Sequence, residues 1–271
     1  MKTRIITALI GTPLLVLILA HGGSLANVCA ALMALIAVCE SYAALGKAGY
    51  RIFRWGTYGA ALLMFPFALI FGALDPLIIV SLAMGTTMTG ILLSKEPNFR
   101  DAAASLYPIF TVLLPFAMMM MMMTEHRTFG SVPGMALVVM SFAVAFMGDA
   151  TAYFVGSAFG RHLLCPKVSP KKTVEGSVGY FLGSVVGALL VRAFFVHLLH
   201  MAMPGIPAAI LLGVVGGAVA QIGDLSASLL KRHCGIKDYG NLFPGHGGVL
   251  DRFDSVIFTL FVFYCYTLLL I

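Results

Sequence analysis

Charged residues are scarce in this chain of 271 residues. Lys, Arg, Asp and Glu together make up 10% of the sequence, hydrophobic residues make up 60%, and the mean hydropathy is +0.99. A soluble domain carries about 25% charged residues, so the composition excludes an ordinary soluble domain. It indicates an integral membrane protein.

Paired cysteines and the short signatures of several enzyme classes are also absent. Five cysteines are scattered along the chain without a CxxC pair, which argues against a disulfide framework or a structural zinc site. We interpret them as inert, buried thiols. The sequence contains no Walker pattern, GxSxG or HExxH, so it gives no sign of the chemistries that depend on those motifs.

Long apolar runs are the most prominent feature that the chain does have. A spanning helix needs about 20 predominantly apolar residues, and several runs approach or reach that length. We therefore predict an all-α, polytopic fold with about nine transmembrane helices. About five of them fall in an N-terminal region, 1–130, and the others in a catalytic region, 131–271. The predicted spans are 5–20, 24–45, 55–73, 76–94, 104–123, 133–157, 175–199, 206–226 and 254–271.

The seventeen Lys and Arg residues are distributed unevenly between successive loops. Fifteen of them fall in alternate loops, whereas Arg127 lies in the opposite set and Arg192 lies within a span. The positive-inside rule places the N-terminus and the cation-rich loops in the cytoplasm. Membrane topology therefore explains the net charge of +6, and no nucleic-acid partner is predicted.

Three carboxylates lie within the apolar runs, at Glu40, Asp149 and Asp224. An acidic residue there costs about 2.5–3.5 kcal/mol on insertion scales and by default suggests a functional site. For Glu40 we favour an interhelical hydrogen bond or a place near the membrane interface. Asp149 and Asp224 differ, because both are predicted at cytoplasmic helix ends beside cationic loops.

The stretch KRHCGIKDYGNLFPGHGGVLDRFD, Lys231–Asp254, is hereafter called the charged segment. It holds seven of the 28 charged residues in 24 positions. Upstream, helical spacing puts Asp224, Ser228 and Lys231 on one face. Within the segment, glycines and Pro244 favour turns, and the three-residue spacing of Asp251 and Asp254 lets both face one pocket.

This combination of acids and cations predicts a phosphate-handling site. Carboxylates suit Mg²⁺, which commonly uses one or two of them together with substrate phosphates, and Lys and Arg bind phosphate oxygens. The sequence SPKKTVEG at 169–176 adds Lys171, Lys172 and Thr173 just before a predicted helix, where an anion is favoured. An ordinary positive-inside loop would explain the cations but not the carboxylates beside them.

A longer pattern of fixed positions runs through this region, from Ser228 to Asp254. It reads Ser228-x-Leu230-Lys231-Arg232, then Lys237-Asp238-x-Gly240, then Phe243-Pro244-x-His246-Gly247-Gly248-x-x-Asp251-Arg252-x-Asp254. The pattern resembles the defining motif of the phosphatidate cytidylyltransferases, also called CDP-diacylglycerol synthases. GDATAYFVG and SPKKTVEG upstream resemble the same family, and the resemblance covers the whole chain.

The resemblance implies the reaction of CTP with phosphatidate to give CDP-diacylglycerol and pyrophosphate. It also implies Mg²⁺, with a second cation as an option, a homodimer, and a bacterial inner-membrane location with a cytoplasmic active site. Metal ligands are expected at Asp224 and Asp251, followed by Asp254 and Asp149. The residues expected to act on phosphates or to line the catalytic pocket are Lys231, Arg232, Lys237, Asp238, His246 and Arg252. Those expected to contact the triphosphate or the headgroup are Ser169, Lys171, Lys172, Thr173, Glu175 and Ser228.

Two alternatives remain open at the level of sequence. One is a CTP-dependent transferase that acts on another lipid phosphate, such as an ether-lipid analogue or a polyprenol, because the pattern does not reveal the acceptor pocket. The other is an ion-coupled transporter, since intramembrane acids also mark ion pathways. The transporter is disfavoured because the acids cluster at one membrane face and no internal repeat is evident.

The predicted topology can be tested by cysteine accessibility. A single cysteine placed within 167–172, in a background without the five native cysteines, should be protected from an impermeant thiol reagent in intact cells. It should react once the membrane is permeabilised. Ready labelling in intact cells would contradict the cytoplasmic assignment of this loop.

Overall fold

The structure, a computed structural model, describes residues 11, 14–15, 17–19, 21–70, 75–124, 128–245 and 247–270. Helices dominate these residues, with bounds α1 Gly23–Lys47, α2 Trp55–Ile70, α3 Pro76–Leu92, α4 Phe99–Pro108, α5 Leu114–Met123, α6 Gly134–Phe159, α7 Val174–His197, α8 Ile206–His233 and α9 Leu250–Leu268. A π-helical turn, Ile109–Leu113, joins α4 to α5.

Two short antiparallel hairpins interrupt the helices. Strand β1 (Thr128–Phe129) pairs with β2 (Val132–Pro133), and β3 (Leu163–Cys165) pairs with β4 (Ser169–Thr173). The fold is therefore nearly all-α rather than wholly so, which corrects the prediction in detail. These strands are two to five residues long and carry no clear alternation of apolar and polar residues, so they were not predictable from the sequence.

Five described helical segments are long and apolar enough to cross a membrane. They are α1, the continuous segment Phe99–Met123, α6, α7 and α8. By contrast, α2 and α3 have only 16 and 17 residues, and α9 carries three charged residues in its first turn and a half. The predicted span 5–20 lies largely outside the described residues. The membrane-spanning, helical character is supported, but the count of nine spans is not confirmed.

The chain divides into two compact units. The first comprises Met1–Glu125 and Lys231–Phe253, and the second comprises His126–Leu230 and Asp254–Ile271. The charged segment thus belongs almost entirely to the first unit, together with the N-terminal helices. The predicted division of the chain at residue 130 stays a prediction.

Buried hydroxyl groups connect the helices of the first unit. Tyr42 Oη lies 2.6 Å from Thr57 Oγ1 and 2.8 Å from the Ser105 carbonyl oxygen. The backbone N–H of Phe53 donates to Ser105 Oγ at 3.0 Å. Polar contacts of this kind hold apolar helices together where burial of apolar surface gives no driving force.

Side-chain caps set two of the helix starts. Asn98 Oδ1 accepts the N–H of Asp101 at 2.8 Å, and Thr173 Oγ1 accepts the N–H of Gly176 at 3.1 Å. Both side chains satisfy donors that a helix leaves free in its first turn. Helix α7 therefore begins directly after β4, where the sequence SPKKTVEG predicted a helix start.

Glycines determine how the helices of the second unit pack. A Cβ atom on Gly183 of α7 would overlap Thr151 Oγ1 and the Met147 carbonyl oxygen of α6. In the same way, Gly213 and Gly217 of α8 lie against residues of α7. Glycines spaced four residues apart, such as Gly213 and Gly217, permit this close approach of helices.

Replacement of Gly183 by alanine should destabilise the protein. Overpacking of a tight contact costs about 1–3 kcal/mol, so the unfolding temperature in detergent should fall clearly. Gly85→Ala is the matched control, because no heavy atom lies within 4 Å of a Cβ at that position. Equal unfolding temperatures for the two variants would contradict the packing described here.

Candidate active site

The carboxylate of Asp251 is buried within the charged segment. Its side chain is only 2% exposed, although it stands in the first turn of α9. Oδ1 accepts from Lys231 Nζ at 2.9 Å, and Oδ2 accepts the backbone N–H groups of Tyr239 at 2.7 Å and Gly248 at 2.9 Å. These hydrogen bonds compensate for the loss of water around a buried charge.

Lys231 is itself held on two sides. Its side chain is 16% exposed, and Nζ lies 5.4 Å from the ring centroid of Tyr239, in the range of a cation–π contact. The ammonium group therefore has a fixed position beside the Asp251 carboxylate. We call Glu40, Lys231, Tyr239, Gly248 and Asp251 the Asp251 cluster.

Glycine is required where the segment passes over this carboxylate. Gly247 has φ +85°, a left-handed conformation that other residues rarely adopt. A Cβ atom on Gly247 would also lie 2.6 Å from Asp251 Oδ2. The glycines around position 246 therefore allow the backbone to approach the Asp251 carboxylate closely.

Glu40 completes the Asp251 cluster from α1. Its Oε1 accepts the N–H of Val249 at 3.0 Å, and its Oε2 accepts the N–H of Leu250 at 2.9 Å. These donors lie at the start of α9, where a helix leaves N–H groups without internal partners. The interpretation of Glu40 as a hydrogen-bonding residue is confirmed, although its partners are backbone groups of the charged segment.

A second set of charges, the Asp224 cluster, lies in the second unit. It consists of Asp149 on α6, Lys172 on β4, Tyr180 on α7 and Asp224 on α8. Lys172 Nζ forms an ion pair with Asp224 Oδ2, and the two side chains are 27% and 21% exposed. Asp149 interacts electrostatically with both members of this pair.

Tyr180 is the buried member of the Asp224 cluster. Its side chain lies in the field of Asp149, Asp224 and Asp254, and Oη donates to the Ala145 carbonyl oxygen at 3.2 Å. Three of the predicted carboxylates therefore act electrostatically on this one phenol in the second unit. Asp254 Oδ1 also accepts the N–H of Ser255 at 2.8 Å.

The hairpin before α7 presents the residues predicted to contact the nucleotide. Lys171 is exposed, while Ser169 and Thr173 are partly exposed. Glu175 accepts the N–H of Arg161 at 3.1 Å and contacts His162 Nδ1 at 2.7 Å. In this structure the Glu175 carboxylate therefore fixes the turn that leads into β3, and its nucleotide contact stays a prediction.

The remaining predicted residues belong to neither cluster. Ser228 is partly exposed on α8, which continues unbroken through Lys231 as the predicted spacing required. His246 lies outside the described residues. Those with exposed side chains on the charged segment are Arg232, Lys237, Asp238 and Arg252.

The charged segment also contains a cysteine. Cys234 is buried, and its burial raises the pKa of the thiol, so it stays protonated and unreactive near neutral pH. All five cysteines are free. Cys39 and Cys265 are exposed, so the prediction of burial was wrong for these two.

The donor set is compatible with a divalent cation. Among the described residues, no group of three or more His, Cys, Asp or Glu side chains could hold a metal ion. However, Mg²⁺ commonly binds through one or two carboxylates and completes its shell with water and phosphate oxygens. Asp149 and Asp224 fit that pattern because they offer two carboxylates. The ion pair between Lys172 and Asp224 shows that the Asp224 carboxylate binds a positively charged group.

Sequence reasoning missed two contributors to the clusters, Tyr180 and the backbone N–H of Tyr239. Tyr180 resembles any aromatic residue of an apolar helix, and a backbone donor leaves no mark in the sequence. Glu40 carried a signal, because an acid in an apolar run is unusual. Its partners were not predictable, since Val249 lies 209 positions away.

Comparison with known proteins gives consistent matches. The sequence model described as "Cytidylyltransferase family" matches residues 2–270. A phosphatidate cytidylyltransferase of Staphylococcus epidermidis is 34% identical over 266 residues, 96% of each chain. One from Haemophilus influenzae is 40% identical over 151 residues, which are 54% of this chain and 51% of the relative. One from Bacillus subtilis is 41% identical over 127 residues, 47% of this chain and 45% of the relative.

The ion pair in the Asp224 cluster predicts different effects for adjacent lysines. Lys172→Met should lower the unfolding temperature in detergent, because it leaves the partly buried Asp224 without its counter-ion. Lys171→Met is the matched control, since the side chain of Lys171 is exposed, and its unfolding temperature should match that of wild type. Equal losses for both variants would contradict the pairing.

Proposed function

Because the chain belongs to the cytidylyltransferase family, we propose that it is a membrane enzyme that makes CDP-diacylglycerol from CTP and phosphatidate. The relatives from three bacterial genera are all named phosphatidate cytidylyltransferases. The observation that carries the proposal is the ion pair between Lys231 and Asp251. It brings together two charged residues, twenty positions apart, of the pattern that resembles this family.

The proposed reaction is a nucleotidyl transfer between two polyanions. A phosphate oxygen of phosphatidate attacks the α-phosphorus of CTP, a new P–O bond forms, and the bond from the α-phosphorus to the bridging oxygen breaks. Pyrophosphate leaves with that electron pair. A phosphate monoester has a second pKa of about 6, so the attacking oxygen is already deprotonated near neutral pH and needs no strong general base.

Charge neutralisation is then the main task of the protein. We assign this task to the cations of the charged segment and of the hairpin before α7. Ion pairs hold the ammonium groups of Lys231 and Lys172 in place, so these groups suit fixed contacts with phosphate oxygens. The exposed side chains of Arg232, Lys237 and Arg252 suit capture of the mobile nucleotide. Asp238 and His246 are proposed as further residues of the catalytic pocket.

Divalent cations complete the proposal. Asp224 and Asp251 are the proposed Mg²⁺ ligands, with Asp149 and Asp254 as further candidates, and a second cation is an option. A bound Mg²⁺ would withdraw charge from the triphosphate and stabilise the leaving pyrophosphate. Lys172 and Lys231 pair with the Asp224 and Asp251 carboxylates.

Membrane placement suits these substrates. Phosphatidate stays in the bilayer with its headgroup at the interface, whereas CTP is water-soluble. The site must therefore be accessible from both the bilayer and the aqueous phase. We propose a bacterial inner-membrane protein whose N-terminus and active site face the cytoplasm, in agreement with the distribution of cations. A homodimer is proposed from the family resemblance.

The reaction can be tested with purified protein in detergent. Wild type with Mg²⁺, CTP and phosphatidate should yield CDP-diacylglycerol and pyrophosphate in equal amounts. Asp224→Asn and Asp251→Asn should each abolish turnover yet insert into the membrane, and Asp75→Asn, in the opposite set of predicted loops, should remain active. Removal of Mg²⁺ with a chelator should stop the reaction reversibly.

Other outcomes would redirect the proposal. Turnover with an ether-lipid phosphate but not with phosphatidate would preserve the chemistry and change the acceptor. Normal activity of Asp224→Asn or Asp251→Asn would refute the ligand assignment. If a well-folded sample forms no liponucleotide with any lipid phosphate, the transporter alternative would be favoured.

A further inference from the structure

We propose that Glu40 is a positioning residue for the catalytic groups Lys231 and Asp251. It acts through the turn at residues 247–250, which it holds in place by hydrogen bonds and by direct contact. This inference rests on the proposed function, because its readout is turnover. The geometry that supports it lies wholly within the first unit.

Glu40 accepts a pair of hydrogen bonds at the start of α9. A helix leaves the N–H groups of its first turn without internal partners, so they need acceptors from elsewhere. The residue before Leu250 is Val249, which has no side-chain acceptor. Glu40 of α1 supplies both acceptor oxygens instead, at 3.0 and 2.9 Å.

Glu40 also lies in direct steric contact with the backbone of the charged segment. A Cβ atom on Gly248 would overlap the Glu40 carboxyl group, and the three nearest heavy atoms all belong to that group. A Cβ atom on Gly240 would also overlap Glu40 Oε1. The Glu40 carboxylate therefore lies directly against the backbone of the charged segment at two places, and both places are occupied by glycine.

Gly248 connects this contact to the catalytic groups. Gly248 lies between the two carboxylates, because its N–H donates to Asp251 Oδ2 at 2.9 Å while its Cα side faces Glu40. Asp251 in turn holds Lys231 Nζ at 2.9 Å. A shift of the 247–250 turn therefore moves the donor on which the Asp251–Lys231 geometry depends.

Charge favours the same arrangement. Glu40 and Asp251 repel each other, so two carboxylates so close need donors between them. The N–H groups at the start of α9 supply partial positive charge to both, and Lys231 neutralises one. The arrangement keeps the turn fixed even though the span that bears Glu40 is otherwise apolar.

Loss of this support should appear mainly in kcat. The cations proposed to capture CTP have exposed side chains, and the change is expected at the Asp251–Lys231 pair, so the KM for CTP should change little. Displacement of a catalytic group by about 1 Å can cost roughly a hundredfold in rate. We therefore expect Glu40→Ala to lower kcat by about tenfold to a hundredfold.

The experiment compares Glu40→Ala and Glu40→Gln with wild type and with Glu96→Gln as the matched control. Glu96 is a glutamate of the same unit whose side chain is 70% exposed and paired with Arg51 at the surface. Glu40→Gln keeps the size and one acceptor, so its kcat should be intermediate. Unfolding temperatures in detergent and the kcat of each variant per folded protein separate positioning from folding.

A double-mutant cycle with Gly248→Ala tests the contact itself. In the wild-type background the added Cβ meets the Glu40 carboxyl group, so kcat should fall. In the Glu40→Ala background that space is free, and the same substitution should cost much less. Coupling of this kind is expected for residues in contact or in one hydrogen-bond network, and not for distant, independent sites.

The outcomes distinguish the two proposals. Wild-type turnover with a kcat of Glu40→Ala within about twofold of wild type, or strictly additive effects of the two substitutions, would overturn the positioning role alone. A loss that appears wholly in KM would also overturn it. Wild type without any liponucleotide product would overturn the proposed function, and the positioning role with it.

Discussion

The buried carboxylate of Asp251 imposes the main constraint on the charged segment. A carboxylate with a side chain 2% exposed is tolerable only when its lone pairs receive strong donors. Lys231 supplies one donor and the backbone supplies two, from Tyr239 and Gly248. The path of the chain between Lys231 and α9 follows from this requirement, because backbone N–H groups can reach the carboxylate only if the segment folds back over it.

The same physical solution appears in the second unit. Asp224 stands on α8, and Lys172 from the hairpin before α7 neutralises it. In each unit a lysine and an aspartate from different elements form a partly or fully buried pair. Such pairs contribute little to net stability, since desolvation offsets much of the attraction. Their value lies in charges held in fixed positions, which a reaction between two polyanions requires.

Small residues make this arrangement possible. Gly247 and Gly248 let the backbone approach Asp251 and Glu40, and the glycines of α7 and α8 let those helices lie close enough for their polar groups to meet. An apolar surround offers no water to replace a missing donor, so close packing and hydrogen bonding depend on each other here. The glycines of this hydrophobic chain therefore allow both the contacts of the charged groups and the close packing of the helices.

Three features could be predicted from the amino-acid sequence: the membrane-spanning helical character, the position of the charged segment and the chemistry that its residue types suit. These features rest on composition and short-range spacing, which are readable along the chain. Tertiary structure alone decided the pairings: Lys172 with Asp224, Lys231 with Asp251, and Glu40 with N–H groups 209 and 210 positions away. It also decided that two hairpins interrupt the described helices. Pairing depends on which helices pack together, and that is a property of many weak contacts rather than of any local pattern.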